Sequence, residues 1–153
     1  MVRGRGQASP RASTVVTMSI VTPDLAMILS TGEVERFYSG LSVLVSSAAD
    51  GRRCAGLAAF RSLDLLLEDD LLRRAQEPEA TPSLSWAGRE TFARSLVELR
   101  DTALALEGLE LYACSASVET MALSATDVDE RLAGVMSTPR FLQQAGGATL
   151  LFA

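Results

Sequence analysis

The chain has 153 residues, 48% apolar and 22% charged, the size and balance of one globular domain. It has no histidine, and all 14 basic residues are arginine, which excludes Ser–His or Cys–His catalysis, His-ligated metals, Schiff-base chemistry and the P-loop lysine. The net charge is −5; Arg3, Arg5 and Arg11 precede the first acid, Asp24, so the remainder carries −8 (−5 minus +3), a poor surface for nucleic acid.

Residues 1–17 are rich in Arg, Gly, Ser and Pro without apolar periodicity, and a flexible tail over 1–20 is expected ahead of a domain over 24–153. The leader lacks the apolar core of a secretory signal, and Met18 offers an alternative start just before the folded pattern. No apolar run approaches the ~18 to 20 residues that span a bilayer. A soluble, cytoplasmic chain follows, with Cys54 and Cys114 as free thiols. Two cysteines are too few for a zinc site or a disulfide scaffold.

In chain order, Leu25–Leu29 reads as a buried strand that ends in Ser30-Thr31-Gly32. Val34, Phe37, Leu41, Leu44, Val45 and Ala48 predict a helix, with Ser30 and Glu33 at capping-box spacing and Asp50-Gly51 as the stop. Residues 54–60 form a second strand, and residues 62–74 one helix with Leu63, Leu66, Leu67 and Leu71 on a face. A loop with Pro78 and Pro82 follows, in which Trp86 is expected as an anchor. Residues 88–106 give the clearest helix. A strand over 110–113 runs into Cys114, then a helix over 117–123, a turn after Thr126, a weak strand over 133–136, a helix over 139–145 and a last strand over 148–152 suited to an edge.

This alternation predicts an α/β fold, a mostly parallel five-stranded sheet between helices, with the flavodoxin-like order 2-1-3-4-5. Ligands of such sheets bind at the carboxyl ends of strands. That rule singles out Ser30, Thr31 and Gly32, then Arg61, then Cys114 with Ser115. In the predicted order, strands one and three are neighbours, so Cys114 faces the Ser30–Gly32 loop. The following helix start and Arg61 favour a thiolate, whereas Glu119 opposes it. Cys54 begins the second strand, at the opposite end, and is expected to be structural and out of disulfide range of Cys114. Glu68, Asp69 and Asp70 are consecutive on a helix and share no pocket. The Ser30–Gly32 loop could cradle an anion, but it has no Gly-rich fingerprint and no aromatic to stack a flavin, and no cofactor is expected.

The stretch Leu111-Tyr112-Ala113-Cys114-Ser115-Ala116-Ser117-Val118-Glu119-Thr120-Met121 resembles the DsrE/DsrF-like family, in its sulfurtransferase or "peroxiredoxin family protein" branch, through Tyr112-Ala113-Cys114, Ser117 and Met121. The likeness extends more weakly over residues 24–153. It implies a three-layer α/β domain, often in a homo-oligomer, whose cysteine, here Cys114, carries persulfide sulfur between donor and acceptor proteins. The chain departs from the family at Ala122, where glycine is usual, at Phe60-Arg61, where an aromatic-Gly pair is usual, and over Glu33–Arg36, which lacks the family's lysine. No thioredoxin-like motif supports the peroxiredoxin label. Sulfur transfer at Cys114, with Ser115 and Ser117 as hydrogen-bond donors, is the leading expectation. A non-catalytic binding or assembly module that uses the same crevice for a small anion or nucleotide is the rival.

Overall fold

The computed structural model describes residues 22–153, so the tail expected over 1–20 lies outside the described residues. The elements are β1 (Leu25–Leu29), α1 (Val34–Ala49), β2 (Cys54–Ala58), α2 (Phe60–Leu67), α3 (Leu71–Gln76) and α4 (Trp86–Ala105). They continue with β3 (Leu109–Cys114), α5 (Ser115–Thr120), α6 (Ala125–Arg131), β4 (Gly134–Met136), α7 (Thr138–Gln144) and β5 (Thr149–Phe152). Among the described residues, no helix is long and apolar enough to cross a membrane.

The single helix expected over 62–74 is two helices, because the chain turns extended at Glu68. Side chains take up the carbonyls left free there: Arg131 donates to the Leu67 carbonyl at 2.8 Å and Arg100 to that of Glu68. Glu33, not Ser30, is the N-cap of α1, and the Thr31 hydroxyl oxygen accepts its N–H at 3.1 Å. Trp86 opens α4 and is 72% exposed, so it anchors nothing.

The five strands form one sheet with every pairing parallel, as expected, but in the order β4-β3-β2-β1-β5. The order 2-1-3-4-5 is therefore corrected. It would have put β2 at an edge, and β2 is CAGLA, buried at every residue and without a polar side chain to guard an edge. Such a strand belongs inside. β5 does take an edge, beside β1 rather than β4.

This order decides how the faces are covered. Three steps in one direction, β1 to β4, carry their helices to the same face, and the return from β4 to β5 carries α7 to the other. The larger core accordingly joins Leu25, Met27, Leu29 and Leu111 with α1 and α4, among them Phe37, Leu41, Leu44 and Leu96. The smaller core sets Ala26, Ala55, Leu57, Cys114 and Met136 against Phe141 and Ala145 of α7. One face is thickly covered and the other thinly.

Candidate functional site

β3, LELYAC, alternates so that Leu109, Leu111 and Ala113 enter the larger core, while Tyr112 and Cys114 turn to the α7 face. Cys114 is the last residue of β3 and the cap of α5, 5% exposed, at the carboxyl rim where the sequence puts it. The neighbour of β3 at this rim is β2, not β1, through Ala58↔Ala113. Cys114 consequently faces the start of α2 instead of the Ser30–Gly32 loop.

One hydroxyl lies at hydrogen-bond range of the sulfur, with Sγ and the Thr138 Oγ1 3.9 Å apart, and Cys114 as the cap of α5 makes no side-chain bond to the helix N–H groups. Burial pushes the thiol up, but the polar groups of Ser117, Thr138 and Ala116 around it outweigh burial and leave Cys114 below the ordinary thiol range. Neither Arg61 nor Glu119 is among the groups that move it. Ser117 is completely buried, and its oxygen accepts the Phe60 N–H at 2.9 Å. With that lone pair engaged from the α2 side, the hydroxyl hydrogen is free to point at Cys114.

Phe60 holds this position with φ +46, a conformation a bulky side chain rarely adopts. Arg61 next to it packs on Gly32: a Cβ built there would lie 2.4 Å from the Arg61 Cδ. Ser62 is buried and donates to the Thr31 carbonyl at 2.7 Å. The start of α2 thus bridges the two rim segments, with Thr31 and Gly32 on one side and Ser117 with Cys114 on the other. Ser115 is half-buried beside the thiol. Ser30 stands apart: its N–H and that of Thr31 both go to the Ala153 carbonyl, at 2.7 and 3.3 Å, and the Glu33 N–H goes to Thr31. A loop with its N–H groups so engaged offers little to a phosphate.

Thr138 was not among the residues singled out by sequence. It was within reach, since Ser137-Thr138-Pro139 follows β4 at the same rim and Pro near a helix start marks where α7 begins. Cys54 is free and buried at the foot of β2; burial, then Asp24, raises its thiol against a smaller pull from Arg52. The two cysteines of one chain are thus driven in opposite directions. Among the described residues, no three His, Cys, Asp or Glu side chains gather as a metal site would need.

No protein-family model matches the chain, and no curated protein matches it.

Proposed function

We propose that this chain is a sulfur carrier or sulfurtransferase of the DsrE/DsrF-like kind, with Cys114 as the residue that holds the sulfur. The observation that carries this reading is the place of Cys114: nearly buried at the carboxyl rim where β3 runs into α5, 3.9 Å from the Thr138 hydroxyl, among polar groups of Ser117, Thr138 and Ala116 that favour its anion. The Cys114 thiolate attacks the outer sulfur of a donor persulfide. A bond forms between Sγ and that sulfur, the donor's S–S bond breaks, and the donor leaves as a thiolate with the electron pair. In the second step an acceptor thiolate attacks the outer sulfur and Cys114 departs as the thiolate. No net oxidation occurs, and the proton or charge on the terminal sulfur travels with it.

The polar groups of Ser117, Thr138 and Ala116 stabilise the departing Cys114 thiolate as well as the attacking one, which serves a relay that runs in both directions. The small exposure of Cys114 suits transfer of one sulfur atom and disfavours bulky electrophiles. Location in a reducing cytoplasm would keep the thiol available.

The test is to incubate the chain with polysulfide and compare intact masses of wild type, Cys114→Ala and Cys54→Ala. One added sulfur atom in wild type and Cys54→Ala, absent from Cys114→Ala and removed by a thiol acceptor, is the expected result. An adduct that tracks Cys54, or none at all, rejects the proposal.

A further inference from the structure

β5 closes the sheet beside β1, and its sequence Thr149-Leu150-Leu151-Phe152 carries none of the charges or prolines that guard a free edge. All four residues are exposed, Phe152 to 71%. Pairing with β1 uses alternate residues: the Thr149 N–H donates to the Asp24 carbonyl at 3.1 Å and the Ala153 N–H to the Ile28 carbonyl at 3.0 Å. By strand alternation, the N–H and C=O groups of Leu150 and Phe152 point away from β1, to a side where no described strand lies. Beside this edge runs a groove of about 480 Å3 against α1, lined by Met27, Ser39, Gly40, Val43, Leu151 and Phe152.

Backbone groups in this arrangement accept an extended strand, and charge indicates whose. All 19 acidic residues lie at or before Glu130, so β4, α7 and β5 carry no acidic side chain. The α1 residues that line the groove are also acid-free, with Arg36 their one charge. A second copy of an acidic chain meets least repulsion here. The edge is also complementary to itself. A two-fold axis through Leu151 sets Leu150 opposite Phe152 of the second copy, and their outward N–H and C=O groups become mutual hydrogen bonds. Leu150 and Phe152 share the thinly covered face, where each leucine meets a phenylalanine; on the α1 face Leu151 meets its own counterpart. Pairing of so short a strand is small against the ~800 Å2 per partner of a stable dimer.

We propose that the outer edge of β5 pairs antiparallel with β5 of a second copy about a two-fold axis at Leu151, joining two five-stranded sheets into one. This inference does not depend on the role of Cys114, which lies on β3, with β1 and β2 between it and β5.

Sedimentation of the full chain across micromolar concentrations tests it, together with two substitutions. Wild type is expected to dimerise. Leu151→Lys sets two ammonium groups face to face and is expected to weaken the dimer about 100-fold, with an unchanged circular dichroism spectrum because β1 pairing uses the backbone. Opposed Leu151 residues form a non-hydrogen-bonded pair with Cα atoms ~4.5 Å apart, within disulfide reach. Leu151→Cys is therefore expected to yield a disulfide-linked dimer with oxidised glutathione, and Leu150→Cys, which faces Phe152, far less of it. A full chain that stays monomeric, as it would if other residues of the same chain covered the edge, overturns the proposal. So does a dimer indifferent to Leu151→Lys, or one cross-linked better through position 150.

Discussion

Ser117 is the side chain on which the thiol site turns. Its oxygen accepts from the Phe60 N–H, and its polar groups favour the anion of Cys114. Ser117→Ala removes a polar group that favours the thiolate and should raise the Cys114 thiol. Since the thiolate is the nucleophile, the midpoint of the alkylation rate against pH moves up for Cys114 and stays fixed for Cys54; mass-resolved labelling reads both at once. The same change leaves the Phe60 N–H without its acceptor, and urea denaturation should show a loss of about 1 kcal/mol. Tyr112 offers a second titration. Burial, its hydrogen bond to Glu110 (2.6 Å) and that carboxylate's charge push the phenol from 10.0 up to about 12. The folded state therefore holds this proton more tightly than the unfolded chain does. The resulting stability is present below pH 10.0 and is lost as pH rises from there towards about 12. Tyr112→Phe should flatten that decline, measured by denaturation on either side of pH 10.0.

At the scale of elements, β2 shows how small residues admit a helix. A Cβ at Gly56 would lie 2.7 Å from the Leu111 Cδ2 and 3.4 Å from the Leu44 Cδ1, so α1 and β3 close over β2 at this point. Gly56→Val overpacks this contact and should cost about 2 kcal/mol in chemical denaturation. Most elements were legible in the sequence because their apolar period is clean: the run Leu25–Leu29 is β1 to the residue, and the 88–106 stripe is α4 within two residues at its start. Less legible was whatever depends on distant partners. The break between α2 and α3 rests on Arg100 and Arg131, far along the chain, which bond the carbonyls at Leu67 and Glu68. The backbone at Ala122 was equally out of reach: its φ is +52, the left-handed region where glycine is the unstrained choice, and alanine gives no sign of it.

For the whole molecule, the rim position of Cys114 was readable because any strand-to-helix turn of a parallel sheet opens at the carboxyl end. Its neighbours were not, because strand order is set by which strands can bear an edge. The all-apolar CAGLA of β2 was the available signal. If two copies pair through β5, folding and association are linked, and the thermal midpoint should rise with chain concentration in wild type but not in Leu151→Lys; calorimetry at several concentrations decides it. The β1–β5 pairing also has a consequence for how the chain is made. Leu25 pairs with Thr149, a separation of 124 residues (149 − 25), while β1 through β4 assemble by successive neighbours. During synthesis the first four strands can pair in turn as they emerge, but β1 must keep its outer side vacant until β5 is made. For most of translation the nascent domain therefore carries an open sticky side at Ala26 and Ile28, a surface on which a chaperone would act or on which ribosome-bound chains could misjoin.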